Sequence, residues 1–276
     1  MRGVTNFRHQ AVSIAVMMRA AWRYRGFIAS SVINDFKTRL SRARFGVAWV
    51  VLQPLAQVII FGTILSNVLG ARLQGTTSKY GYVVYLMAGT ACWSLFADIV
   101  QRCITVFIDN GALLKKIQFP RITLPAIVVG IASVNNLAYL AIVLSALPLM
   151  AAYPNVHYIW LPVLMGMTIS LAAGIGLFLG TLNVFARDTG QVVAVLLQFW
   201  FWATPIVYPL SIVPQAFQSA LALNPILPLV RGYQNVLLYG VRPPHQCIWM
   251  GPVIPLLFAA AIFVFRRASS EMVDVL

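Results

Sequence analysis

The chain has 276 residues, of which 60% are hydrophobic and only 9% are charged. Soluble domains average roughly 25% charged residues, so this composition excludes an ordinary soluble protein and indicates a bilayer protein. The formal net charge of +14 does not indicate nucleic-acid binding, because apolar runs of about 20 residues separate the basic residues. The three cysteines and three histidines are scattered and show no spacing typical of a disulfide framework or a metal site.

Residues 1–29 are interpreted as a cytoplasmic N-terminal segment. The apolar run at 11–18 is similar to the core of a signal peptide, but Arg19, Arg23 and Arg25 follow it closely. These arginines disfavour cleavage and translocation at this point.

Residues 30–45 predict an amphipathic helix that lies in the cytoplasmic interface of the membrane. Apolar side chains recur on one face at helical spacing. The opposite face carries Lys37, Arg39, Arg42 and Arg44. These cations either anchor the helix on anionic lipid or also contact an anionic substrate or a cytoplasmic partner.

Six segments are long and apolar enough to cross about 30 Å of hydrocarbon. They are 47–69, 81–103, 123–147, 159–183, 190–209 and 247–265. They form one predicted membrane domain, 30–265, followed by a cytoplasmic tail, 266–276. The termini and the connections on their side of the membrane carry 15 lysines and arginines, against four in the opposite loops. Both termini are therefore predicted to be cytoplasmic.

Between the fifth and sixth spans, prolines divide the chain into pieces too short to cross the membrane. The piece 215–224 would extend about 15 Å as a helix, and the piece 226–239 is interrupted by Pro228 and Arg231. Short re-entrant or interfacial helices are predicted here on the outer side, where such backbone needs protein or water around it. The predicted fold is an all-α polytopic membrane protein with six transmembrane helices, an N-terminal amphipathic interface helix and these short outer helices.

Four consecutive aromatic residues, 199–202, lie in the fifth span. If the span begins near residue 190, they lie about 14–18 Å deep, which is too deep for an interfacial aromatic belt. Four successive helical positions turn through about 300°, so these rings cannot all face one surface. Gln191, Gln198 and Trp202 share one face, which we predict to line a pore.

Such a face suits a sugar chain, because rings contact the flat apolar faces of sugars and amides exchange hydrogen bonds with hydroxyl groups. The alternative is that Gln198 joins two helices and the aromatic rings only fill space between them. The predicted pathway also includes Tyr208, Trp93 and Phe96.

The sequence has few acidic residues and no ATP-binding loop motif, and both features disfavour catalysis by this chain. Only six acidic residues occur, and no two of them form a D-D or D-x-D pair of the kind used for metal or acid–base chemistry. No Gly-Lys dipeptide occurs, so a phosphate-binding loop for ATP is absent from the sequence. Asp98 and Arg102, four residues apart, are interpreted as a structural pair, and the row Ala172, Gly176 and Gly180 as a helix-packing surface.

Taken in order, several segments resemble the membrane subunit of bacterial polysaccharide ABC exporters of the O-antigen type. The resemblance covers about residues 27–265, and the combined order of its motifs is specific. The motifs are residues 35–49 followed by Gln53-Pro54, the loop 113–121, Asn183-Val-Phe-Ala-Arg-Asp188, Thr204-Pro-Ile-Val-Tyr-Pro209 and Asn224-Pro225.

The resemblance implies a homodimer in the bacterial inner membrane, paired with two copies of a separate ATP-binding subunit. This chain would bind no cofactor itself, since ATP and Mg²⁺ would bind to that partner. The connection between spans two and three would be the segment that couples to the ATPase. Its implied coupling residues are Asn110, Leu114, Lys115, Lys116, Phe119 and Arg121. Arg187 and Asp188 match a gate position at the start of the fifth span, although an ordinary charge pair that sets topology is the alternative.

The family's cargo is a glycan carried on undecaprenyl diphosphate, whose head is anionic. The resemblance thus implies that Lys37, Arg39, Arg42 and Arg44 attract the diphosphate. Closure of the ATPase subunits would be transmitted through the coupling segment and the interfacial helix to open a path between the two copies. The rival functions are export of a teichoic-acid precursor or a small drug, a membrane-embedded lipid-processing enzyme, and a passive channel.

Overall fold

The computed structural model describes residues 22–42, 52, 56, 80–116, 120–148, 155–268 and 271–272. Every regular element within these ranges is helical. The helices are α1 (Arg25–Arg42), α2 (Gly81–Asp109), α3 (Gly111–Lys116), α4 (Thr123–Ala146), α5 (Leu161–Phe185), α6 (Thr189–Ala203), α7 (Gln215–Leu221), α8 (Leu227–Gln234) and α9 (Gln246–Ala268).

Four helices in the described part are long and apolar enough to cross a membrane. They are α2, α4, α5 with the short 3-10 turn before it, and α9. They confirm four of the six predicted spans. The predicted first span, 47–69, lies almost wholly outside the described residues, so the six-span arrangement stays a prediction.

The predicted fifth span, 190–209, is too long at its C-terminal end. The helix found there, α6, has 15 residues and ends at Ala203, so it extends about 22 Å. Thr204 adopts an extended conformation, with φ −101° and ψ 131°. Pro205 explains the early end, because a proline disfavours the helical conformation of the residue before it.

Helices α2 and α5 run in the same direction. In the first half of both helices, Cys92 Sγ lies 3.7 Å from Thr168 Oγ1. Near the end of both helices, the Asn183 side-chain amide donates to the carbonyl oxygen of Ile104 at 3.0 Å. Gly232 lies beside both Leu164, near the start of α5, and Cys247, near the start of α9, and the Phe107 ring stacks on Phe265 near the ends of α2 and α9. Helix α9 is therefore parallel to both.

Helices α4 and α6 run the opposite way, because later positions in each contact earlier positions of α2. The contacting pairs are Asn135 with Asp98, Tyr139 with Met87, Gly190 with Ile104 and Trp200 with Phe96. We call the end of the bundle that contains Asp109, Thr123 and Thr189 the lower end. The end that contains Gly81, Ala146 and Ala203 is the upper end.

The small residues of α5 bring it close to α2. A Cβ atom added at Gly176 would lie 2.7 Å from Cys103 Cβ, and one added at Gly180 would meet the carbonyl oxygen of Cys103. Both glycines are buried, as is Ala172. The predicted packing role is confirmed for Gly176 and Gly180, and α2 contributes many residues to the buried core.

Helix α1 begins five residues before the amphipathic segment predicted from the sequence. It packs on α4, where a Cβ added at Gly130 would lie 2.8 Å from Val32 Cγ2. Gly130 is seven residues from the start of α4, or about 10 Å along its axis. The helix thus rests on the lower half of α4.

The predicted short helices between the last two long apolar segments are present as α7 and α8. Leu229, Val230 and Tyr233 of α8 are fully buried. A Cβ at Gly232 would lie 2.7 Å from Leu164 Cδ2, so α8 packs closely on the first turn of α5. A short π-helical turn continues α8 and ends at Gly240, which has the left-handed φ of 61° that glycine accepts without strain.

Candidate functional site

Helix α6 presents a broad exposed face. Only Val193 and Leu197 of its side chains are buried, and Trp202 is 54% exposed. Gln191 and Gln198 are exposed as well. These two amides and Trp202 therefore lie on one accessible stripe of the described structure, as their spacing predicts.

The aromatic block of α6 divides between this exposed face and the core. Trp200 and Phe201 point toward α2, whereas Phe199 and Trp202 are exposed. The Trp93 ring contacts Phe201 at a centroid distance of 5.7 Å, and the Phe96 ring contacts Trp200 at 5.3 Å.

Trp93 and Phe96 are buried by these contacts. They lie behind α6 and do not reach its exposed stripe within the single chain. The structure therefore brings together Gln191, Gln198 and Trp202 but separates them from the two α2 aromatics.

The segment 204–209 leaves α6 as a series of turns and bends beside α2. The Tyr82 hydroxyl donates to the carbonyl oxygen of Val207 at 2.6 Å, and the Tyr85 hydroxyl donates to that of Pro205 at 3.0 Å. Gly89 allows the close approach, since a Cβ there would lie 3.1 Å from a side-chain carbon of residue 206. Irregular backbone is thus hydrogen-bonded to protein, as membrane depth requires.

Asn224 ties the same segment to the short upper helices. Its amide nitrogen donates to Thr204 Oγ1 at 2.9 Å, and its amide oxygen accepts from Trp200 Nε1 at 2.9 Å. Tyr208, the last predicted pathway residue, donates its hydroxyl to the carbonyl oxygen of Trp202 at 2.9 Å. Tyr208 therefore lies at the upper end of the exposed stripe of α6.

Asn183 is a positioning residue that the predicted site residues did not include. Its amide nitrogen donates to Ile104 in α2, and its amide oxygen accepts from the backbone N–H of Gly190 at 2.9 Å. It is buried and joins the lower ends of α2, α5 and α6. A polar amide at the end of an apolar span is a signal that could have identified it, because a buried amide needs partners.

The predicted gate residues lie in the turn between α5 and α6. Arg187 and Asp188 are both exposed. The backbone carbonyl oxygen of Asp188 accepts hydrogen bonds from the backbone N–H groups of Gln191 and Val192, each at 3.1 Å. The Asp188 side chain makes no capping hydrogen bond. In this turn, Asn183 makes the side-chain bonds that hold α6 in place.

Helix α3 extends from the lower end of α2 through a turn at Asn110. The Asn110 side chain donates to the carbonyl oxygen of Val106 at 2.8 Å, and its own carbonyl oxygen accepts from the backbone N–H of Leu114 at 3.0 Å. Leu114 is buried, whereas Lys115 is exposed. The predicted coupling helix is thus anchored by Leu114 and presents Lys115 outward.

Other predicted coupling and headgroup residues are described only in part. Arg121 is half-buried, and burial lowers its pKa, although an arginine stays charged near neutral pH. Lys37 is exposed. Phe119, Arg44 and the side chains of Lys116, Arg39 and Arg42 lie outside the described residues.

The Asp98–Arg102 pair is formed, with Arg102 Nε 2.6 Å from Asp98 Oδ1. Within the described ranges, no three His, Cys, Asp or Glu side chains are grouped as metal ligands.

The sequence is similar to several curated transport proteins. It is 28% identical to the O-antigen export system permease protein RfbA of Myxococcus xanthus over 263 residues, covering 91% of this chain and 96% of that protein. It is 25% identical to an RfbA of Klebsiella pneumoniae, covering 75% of this chain and 78% of the relative. It is 22% identical to the polysialic acid transport protein KpsM of Escherichia coli, covering 75% and 80%.

The family model for ABC-2 type transporters matches residues 28–238, which confirms the resemblance noted in the sequence. A permease subunit of this family has no catalytic domain of its own and implies a separate ATPase partner. Because the match covers most of the chain, from α1 to the turn after α8, this multi-pass membrane protein belongs to the ABC-2 type transporter family as a membrane subunit.

Proposed function

We propose that this chain is the membrane subunit of an ATP-driven exporter that moves a lipid-linked polysaccharide of the O-antigen type across the bacterial inner membrane. The observation that carries the proposal is similarity over 91% of the chain to a relative named as an O-antigen export permease. The polysialic acid transporter among the relatives also carries a glycan. The proposal therefore commits to a sugar polymer as the cargo class.

The exposed stripe of α6 supports this cargo class. The stripe offers a sugar chain an apolar surface on the Trp202 ring and hydrogen bonds from the amides of Gln191 and Gln198. In a homodimer, two such stripes would face each other across a path, with Tyr208 at the upper end. Trp93 and Phe96 would support this wall from behind through their contacts with α6.

The continuous helix α2 supports a route from the ATPase to this wall. Two copies of the ATPase, which bind ATP and Mg²⁺, would dock at the cytoplasmic side on α3, with Lys115 at the contact. Movement of α3 would be carried along α2 to the lower end of α6 through Asn183 and to segment 204–209 through Tyr85. Arg187 and Asp188 lie at the start of α6 and would border the gate.

The headgroup of the lipid carrier would meet the basic side of α1. Lys37 is exposed there, and the sequence adds Arg39, Arg42 and Arg44. Cations on an interfacial helix attract a diphosphate through charge-assisted hydrogen bonds.

The direct test is reconstitution of the chain with its ATPase in lipid vesicles. We expect undecaprenyl diphosphate that carries a glycan to stimulate ATP hydrolysis. The reason is that cargo binding favours the conformation of the membrane subunit in which the two ATPase subunits close. A teichoic-acid precursor and a small amphipathic drug serve as competing cargoes. An ATPase rate that the glycan leaves unchanged, or that only a competing cargo raises, would contradict the proposal.

The Trp202→Ala variant tests the wall. Loss of one stacking surface should slow export about tenfold, which corresponds to roughly 1.4 kcal/mol, while the complex with the ATPase still assembles. Phe263→Ala is the matched control, because Phe263 is an aromatic residue with similar exposure, 65%, on α9. If Trp202→Ala instead prevents assembly, Trp202 serves packing and the proposed wall loses its central residue.

A further inference from the structure

The exposed face of the lower half of α2 is polar. Most of this helix is buried, but one narrow stripe is half-buried or exposed over about 22 Å of axis. Its polar members are Ser94, Asp98, Gln101, Arg102, Thr105 and Asp109. Polar side chains along a membrane-spanning helix face water, protein or a substrate path, because hydrocarbon does not solvate them.

A three-residue cluster lies near the middle of this face, where α4 meets α2. Arg102 Nε donates to Asp98 Oδ1 at 2.6 Å, and the Asn135 amide nitrogen donates to Asp98 Oδ2 at 3.4 Å. The side chains of Arg102 and Asp98 keep 36% and 31% of their surface exposed. The cluster is thus held together by hydrogen bonds while two of its members remain accessible.

Asn135 gives the cluster a feature that a simple ion pair does not explain. The residue is only 8% exposed, and its amide oxygen is buried without a hydrogen-bond partner among the described residues. A buried acceptor without a partner is costly to maintain.

We propose that Asp98, Arg102 and Asn135 form a binding site for the hydroxyl groups of the glycan in the lower half of the transport path. A sugar hydroxyl both donates and accepts a hydrogen bond. The two accessible members offer acceptors on Asp98 and donors on the guanidinium group of Arg102, while the Asn135 amide nitrogen holds the Asp98 carboxylate in place. The carboxylate beside Arg102 disfavours a phosphate, and the guanidinium disfavours a metal ion, so the chemistry favours a neutral polyol.

The inference rests on the proposed function, and its test uses the complete complex with the ATPase in vesicles. The probes are undecaprenyl diphosphate with a defined oligosaccharide and undecaprenyl diphosphate without sugar. Asn135→Leu should raise the concentration of the glycan probe for half-maximal ATPase stimulation about five- to tenfold, the effect of one lost hydrogen bond. The response to the sugar-free probe should not change.

Asn136→Leu is the matched control. Asn136 is the next residue of α4, is equally buried and also has an amide oxygen without a described partner, but its side chain donates to the backbone of Ala91, away from the polar stripe. We expect the half-maximal concentration of the glycan probe to be unchanged in this variant. An equal rise in both variants would overturn the proposal, since it would reflect helix packing.

The charge exchange Asp98→Arg with Arg102→Asp separates binding from structure. It keeps an ion pair four residues apart on the helix but reverses the donor and acceptor positions that a sugar would meet. The exchanged complex should assemble and yet need about five- to tenfold more glycan probe. If both this variant and Asn135→Leu need the same concentration of glycan probe as the wild-type complex, the proposed site is overturned and the proposed function is not. If the glycan probe does not stimulate the ATPase of the wild-type complex, the proposed function is overturned as well.

Discussion

At the scale of single residues, Asn183 connects three helices with one side chain. Its amide nitrogen bonds to α2 and its amide oxygen bonds to the first turn of α6, while its backbone belongs to α5. Both ends of the amide are used, so no isosteric side chain replaces it. An aspartate would repel the carbonyl oxygen of Ile104, and a leucine would bond to neither partner.

We therefore expect Asn183→Ala to destabilise the purified subunit by about 2 kcal/mol, because it removes both hydrogen bonds of a buried amide and leaves the backbone N–H of Gly190 without its side-chain partner. Thermal unfolding in detergent micelles measures the change as a lower Tm. Asn235→Ala is the control, since the amide of Asn235 donates one surface bond, to Arg242, and should change stability by less than about 0.5 kcal/mol. Equal Tm values for the two variants would contradict the role assigned to Asn183.

The orientation of the four aromatic rings in α6 could be predicted from the sequence only in part. Helical geometry predicts that the four rings face different directions, and the structure confirms it: Trp200 and Phe201 pack on α2 while Trp202 is exposed. The position of α2 relative to α6 decides which rings are buried, and that position depends on contacts distant in sequence. The burial of Trp93 and Phe96 could not be predicted for the same reason.

At the scale of helices, apolar runs predicted α2, α4, α5 and α9 well, because hydrophobic length is the main requirement for crossing a bilayer. The end of α6 was mispredicted because the apolar residues continue past it. Ile206 and Val207 are buried like helix residues, yet they belong to a non-helical segment of turns and bends that Tyr82 and Tyr85 hold. Hydropathy alone does not distinguish these two backbone conformations.

The contact between α2 and α5 gives a prediction about helix packing. Gly180→Ala should destabilise the subunit by about 1–3 kcal/mol, because the added Cβ would meet the carbonyl oxygen of Cys103, a backbone atom that cannot rotate away. The yield of folded protein and its Tm in detergent report the effect. Gly166→Ala, on the same helix, is the control, since nothing lies within 4 Å of the added atom. Because alanine is a better helix former than glycine, Gly166→Ala should leave the Tm unchanged or raise it. Equal Tm values for the two variants would contradict the close-packing role of Gly180.

At the scale of the whole molecule, the helix directions fix which loops share an end. Helix α3 and the turn at Arg187 lie at the lower end, whereas segment 204–209 and the 3-10 turn Val156–Trp160 lie at the upper end. The charge distribution of the sequence predicts that the lower end faces the cytoplasm. A cytoplasmic ATPase can reach α3 only if the lower end faces the cytoplasm. The predicted topology and the proposed mechanism therefore require the same orientation of the chain in the membrane.

That orientation can be tested with single cysteines and a membrane-impermeant maleimide. Val156 is 86% exposed at the upper end, so Val156→Cys should be labelled in intact spheroplasts. Lys115→Cys, on exposed α3, should be labelled only after the membrane is opened. The native cysteines 92, 103 and 247 are buried, so the unsubstituted chain should react little in either condition. Labelling of Lys115→Cys in intact spheroplasts would show that α3 lies on the outer side of the membrane. This result would contradict the predicted topology, because α3 could then not contact a cytoplasmic ATPase.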